Sequence, residues 1–90
     1  MAEPDFEALR KKLEESGSWP MVYMFKFIVP SDNQKIALVE SLFGDDSQVS
    51  LRSSSNDKYT SITAREVMLS PEMVIAVYRK AASIEGVIAL

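Results

Sequence analysis

Neither cysteine nor histidine occurs anywhere in the 90 residues. Without thiol or imidazole the chain has no disulfide framework, no Ser-His or Cys-His nucleophile pair, and no zinc or transition-metal site of ordinary composition. Glycine is nearly as scarce, with only Gly17, Gly44 and Gly86. Each falls where a helix is expected to end, so none is left for a phosphate-cradling loop of the P-loop or dinucleotide kind. Apolar runs such as Met73 to Tyr78 fall far short of the roughly 20 residues that cross a bilayer, so no membrane span is expected. Basic surplus is missing as well. Ten Lys and Arg against thirteen Asp and Glu leave a net charge of −3, a field that repels nucleic-acid phosphates and anionic lipid. Nucleic acid and membrane are therefore not expected partners. The start, Met1-Ala2-Glu3-Pro4-Asp5, is acidic where a secretory signal would be basic, and with the absent cysteine it points to a bacterial-type cytoplasmic protein.

Apolar residues make up 47% and charged residues 26% of the chain, ordinary values for a folded domain with one core. Phe6, Leu9 and Leu13 recur at helical spacing, and Glu7 stands one turn before Lys11, so an amphipathic helix is expected, closed by a left-handed Gly17 and stopped at Trp19-Pro20. Its narrow stripe needs a surface to lie on, either the chain's own sheet or a second copy. Met21 to Val29 is aromatic and β-branched with only Lys26 charged, which predicts a central strand with Tyr23, Phe25, Phe27 and Val29 facing the core. Ser31-Asp32-Asn33-Gln34 offers a Ser-x-x-Gln capping box for a helix carrying Ile36, Val39, Leu42 and Phe43, with Gly44 as its stop.

Gln48 to Ser53 and Tyr59 to Arg65 alternate polar and apolar around the turn-prone Ser54-Ser55-Asn56-Asp57, the pattern of a hairpin. Ser70, Pro71 and Glu72 mark a second helix start, with Met73, Val74, Val77, Tyr78, Ala81 and Ile84 as its buried stripe. Gly86 to Leu90 is uncharged and short enough for a closing strand. Strand, helix, hairpin, helix, strand is the βαββαβ order of an α+β, ferredoxin-like sandwich. The expectation is a four-stranded antiparallel sheet, spatial order second, third, first, fourth, with two helices on one face and the N-terminal amphipathic helix added. Residues 1–19 form that helix and its linker; residues 20–90 form the ferredoxin-like domain.

Two helices cover only one side of such a sheet, which leaves the other side for function. By alternation it carries the candidate site residues Lys26, Arg52, Tyr59, Ser61, Thr63 and Arg65, with Ser50, Met24 and Ile28 among them. Cations, hydroxyls and a tyrosine suit a small anionic metabolite or the acidic surface of a protein partner; the alternative is a simply solvated face. Met24 and Ile28 favour cover by the N-terminal helix, through Phe6, Leu9, Leu13 and Trp19, or by another copy in a homodimer. RNA-recognition modules share the βαββαβ order, but Lys58 to Arg65 lacks their glycine and paired aromatics. The carboxylate pairs Glu14-Glu15 and Asp45-Asp46 sit on a solvated helix face and beside a helix stop, not as acid and base about a site. The expected molecule is a non-catalytic regulatory or adaptor domain needing no cofactor.

From Phe25 to Leu90 the chain resembles the YbeD-like family of small bacterial proteins of unknown function. The matching stretches are Tyr23-Met24-Phe25-Lys26-Phe27, Lys58-Tyr59-Thr60-Ser61-Ile62-Thr63, Ser70-Pro71-Glu72 leading to Val77-Tyr78-Arg79, and Glu85-Gly86-Val87. The resemblance implies a ferredoxin-like fold similar to the ACT domains that sense amino acids and other small metabolites, and no catalytic residues. One departure stands out. Where the family commonly has a glycine after the first strand, and ACT-type domains bring backbone amides to a ligand, this chain has Val29-Pro30-Ser31; proline carries no amide hydrogen.

Overall fold

A computed structural model describes residues 6–90, so the acidic Met1 to Asp5 stretch lies outside the described residues. Its elements run α1 (Phe6–Ser16), β1 (Met21–Pro30), α2 (Asn33–Glu40), β2 (Gln48–Ser53), β3 (Tyr59–Met68), α3 (Pro71–Ala82) and β4 (Ile88–Ala89). The four strands form one antiparallel sheet in the order β2-β3-β1-β4, an α+β arrangement compatible with a ferredoxin-like plan. All ten residues of β1 pair with β3, from Met21 opposite Met68 to Pro30 opposite Tyr59. β4 is much shorter and meets β1 only at Phe27 and Ile28.

Alternation along β1 sorts its side chains. Phe25, Phe27 and Val29 are fully buried, as are Ile62 and Ala64 of β3 and Val39 and Val74 of the helices. Tyr23, Phe25, Phe27, Phe43 and Tyr78 form one connected aromatic group, with Phe25 and Phe27 nearly parallel at 6.3 Å and Tyr78 edge-on to both. Offset and edge contacts of this kind let ring edges meet ring faces and add to the burial of apolar area.

Several local expectations are corrected. The cap of α2 is Asp32, whose carboxylate accepts from the Gln34 amide at 2.8 Å; Ser31 instead places its hydroxyl 3.0 Å from that of the buried Thr60. Between two adjacent cap-forming residues, the one whose side chain faced no buried polar partner became the cap. Gly17 does not take a left-handed conformation, since among the described glycines only Gly86 has positive φ, at 86°. The end of α1 is met by the Trp19 indole, which donates to the Leu13 carbonyl at 3.2 Å, one of the carbonyls a helix end leaves unpaired. α2 stops at Glu40 with Ser41 as C-cap, before Leu42, Phe43 and Gly44. Glu7 pairs with Arg10, at 3.1 Å, rather than with Lys11. On α3 the stripe is shifted: Met73 is exposed and Ile75 buried, because this helix is packed on two sides.

The second side is α1. It lies against α3, with the Arg79 guanidinium 5.2 Å from the Phe6 ring centre, Arg10 Nε 3.8 Å from the Glu72 carboxylate, and Leu13 in the core. The expected cover of the sheet by Phe6, Leu9, Leu13 and Trp19 is therefore not found; all four pack into the helix layer.

Candidate functional site

With the helices on one side, the even-numbered residues of β1 point to the other. Three cross-strand rows organise that open face. Ser50, Thr63 and Lys26 stand in register across β2, β3 and β1; Arg52, Ser61, Ile28 and Ile88 form the next row; Gln48, Arg65 and Met24 form the row on the opposite side. Antiparallel pairing sets these neighbours, since residues far apart in sequence come within about 5 Å only when register aligns them.

The face has two unlike halves. Toward β1 and β4 it is apolar, with Val22, Met24, Ile88 and Leu90 all more than half exposed. Toward β2 and the hairpin loop it is polar and hollowed into a depression of about 580 Å³ lined by Lys26, Ser50, Arg52, Ser53, Ser54, Ser55, Ser61 and Thr63. Of the candidate residues, Lys26, Arg52, Ser61 and Thr63 are brought together here. Tyr59, opposite Pro30, and Arg65, opposite Met24, are not among its lining.

Ser53, Ser54 and Ser55 join the lining, whereas in the sequence they read only as the start of a turn. Strand alternation would put Ser53 on the other side from Arg52; at the strand end, where the hairpin closes, alternation no longer decides. The one sequence signal was the density of hydroxyls directly after Arg52. Ser54 is committed internally, donating to Asn56 Oδ1 at 2.9 Å and accepting from the Tyr59 amide at 3.1 Å. That shapes the loop through Asp57, held at φ 57°.

Among the described residues the ion pairs are those of Arg10 with Glu7 and Glu72. Lys26, Arg52 and Arg65 have no carboxylate within salt-bridge distance there, and the hydroxyls of Ser50, Ser53, Ser55, Ser61 and Thr63 make no hydrogen bond. A concentration of unneutralised cations and free hydroxyl donors can hold anionic oxygen. Among the described residues, no group of three or more carboxylates able to hold a metal ion is present.

The loop after β1 is differently equipped. Its Ser31 amide donates to the Lys58 carbonyl at 2.9 Å, its Asp32 amide to the Pro30 carbonyl at 2.7 Å, and its Gln34 amide to the Asp32 carboxylate. Proline and these internal bonds together leave that loop poorly supplied with amides for a ligand. On the helix side, the Tyr23 and Tyr78 hydroxyls meet at 3.2 Å. Burial, then the hydrogen bond with Tyr23, pushes the Tyr78 phenol well above the usual tyrosine range; the pair is part-buried and packs against the core.

No helix among the described residues is long and apolar enough to cross a membrane. A family model described as "Protein of unknown function (DUF493)" matches residues 14–90. No curated protein and no solved structure matches the chain.

Proposed function

The chain belongs to DUF493, the YbeD family of small proteins of unknown function, and we propose that it is a cytoplasmic, non-catalytic regulatory or adaptor domain of ferredoxin-like plan. It docks a protein partner on the open face of its sheet. The observation that supports this reading is the composition of that face: Lys26, Arg52 and Arg65, with no ion-pair partner among the described residues, beside exposed Val22, Met24, Ile88 and Leu90. A matching surface sets carboxylates beside apolar side chains, so that the charges steer encounter and the apolar contact slows release. The absence of cysteine and histidine removes the thiol nucleophile and the commonest proton-transfer group, which favours binding over turnover.

A photo-reactive residue placed at Met24 on the sheet face, and in a second protein at Leu38 on α2, tests this. Adducts through position 24 whose partner peptide is acidic and apolar, and which Arg52→Glu abolishes, are expected. Adducts formed only through position 38 would sink the reading, and adducts to the chain itself would identify a second copy as the occupant.

The polar depression favours a second reading, a sensor of a small anionic metabolite similar in role to ACT domains. Ligand at about 100 times its dissociation constant should then add roughly 2.7 kcal/mol of stability. A screen of anionic metabolites in which none raises the melting temperature counts against it.

A further inference from the structure

Two cations and five free hydroxyls in one depression supply more donors than a lone carboxylate can accept. An arginine offers five N–H groups in a fork and a lysine three, while a carboxylate has about four lone-pair sites. A phosphate monoester brings three strong acceptor oxygens and a charge between about −1.5 and −2, and its geometry suits a bidentate arginine. Lys26 and Arg52 are placed to share it: they stand two strands apart and two residues along, a Cα separation of roughly 12 Å from standard sheet spacings, which two long side chains can span from opposite sides. Thr63 and Ser61 lie between them on β3.

The depression also holds more than an ion. Its volume of about 580 Å³, open to solvent on one side, gives room for a small organic molecule beside the anion. No apolar or aromatic side chain lines it, so it has nothing on which to stack a nucleobase or lay an acyl chain. Serine and threonine hydroxyls both donate and accept, as ligand hydroxyls do. We propose that this depression takes a phosphorylated polyol, such as a sugar phosphate, with the phosphate between Lys26 and Arg52 and the hydroxylated body against the serines of β2 and the hairpin loop. This rests on the second reading above and narrows it to one class of ligand.

Amide chemical-shift titration of the full chain tests the assignment, with glucose 6-phosphate, glucose, inorganic phosphate and citrate as probes. Glucose 6-phosphate should shift the amides of Ser50, Ser61 and Thr63 saturably, glucose should not, and inorganic phosphate should bind at least about tenfold more weakly. Arg52→Gln, an exposed change that leaves the core intact, should weaken the sugar phosphate about tenfold or more, as expected for hydrogen bonds to a charged group. Arg65→Gln, on the same face but outside the depression, should change affinity less than about twofold. Equal loss in both variants would mean diffuse attraction and overturn the site. Inorganic phosphate binding as tightly as the sugar phosphate would overturn the polyol part. Citrate shifting these amides while glucose 6-phosphate does not would overturn the ligand class and leave the anion-sensor reading standing; no saturable shift with any anion overturns both.

Discussion

At the scale of single residues, the aromatic group around Phe25 carries much of the packing. Phe27 is fully buried between β3, Phe43 and Tyr78, so Phe27→Ala removes a large side chain from a site that cannot collapse. A loss of about 3–5 kcal/mol is expected, measured as a lower urea midpoint. The Tyr23–Tyr78 hydrogen bond makes a pH prediction. Because burial raises the Tyr78 phenol's pKa in the folded state, the unfolded chain gives up that proton first, near pH 10. The contribution is therefore complete below about pH 10 and is lost as pH rises beyond it. Urea midpoints should hold steady from pH 8 to 9.5 and then fall, and Tyr78→Phe should flatten that fall. The partition of α3 was less legible: Met73 and Ile75 are both apolar, and only the presence of α1 on a second side selects Ile75 for burial.

Elements begin and end here by side-chain choices that sequence shows only as candidates. Ser70 caps α3, accepting from the Met73 amide, as its place before Pro71 suggests. At α2 both Ser31 and Asp32 could serve, and the position of Thr60 beneath Ser31 decides for Asp32. Ser70→Ala and Asp32→Ala are each expected to cost about 1 kcal/mol by chemical denaturation. An equal loss from Ser31→Ala would report the broken contact with Thr60, not a cap. Gly86 holds the approach to β4: its φ is 86°, and a Cβ on it would stand 2.9 Å from Pro30 Cγ, so Gly86→Ala faces both an unfavourable backbone and a steric clash. It should destabilise by more than about 1 kcal/mol and loosen the pairing of Ile88 with Ile28, visible as faster amide exchange at β4.

Over the whole molecule, charge is segregated. A chain of net −3 gathers Lys26, Arg52 and Arg65 on one side of its sheet, where among the described residues none has a carboxylate within salt-bridge distance. Binding of an acidic partner or a phosphorylated ligand there should weaken as salt rises and screening sets in within about 10 Å at 0.1 M. Stacking two copies sheet to sheet brings like charges together, so self-association through this face should grow with salt instead. Light scattering against sodium chloride, beside an affinity series, separates the two responses.

Residue periodicity and composition alone determined the kinds of element and their succession along the chain, and the core side of β1. Those properties are local or additive, and need no knowledge of what lies across the fold. Tertiary structure decided that α1 packs on α3, that Asp32 is a cap, and that the serines after Arg52 close a depression with Lys26 while Tyr59 and Arg65 stand outside it. Each depends on register and packing between segments distant in sequence, and a side chain has no neighbour across the sheet until the strands have paired.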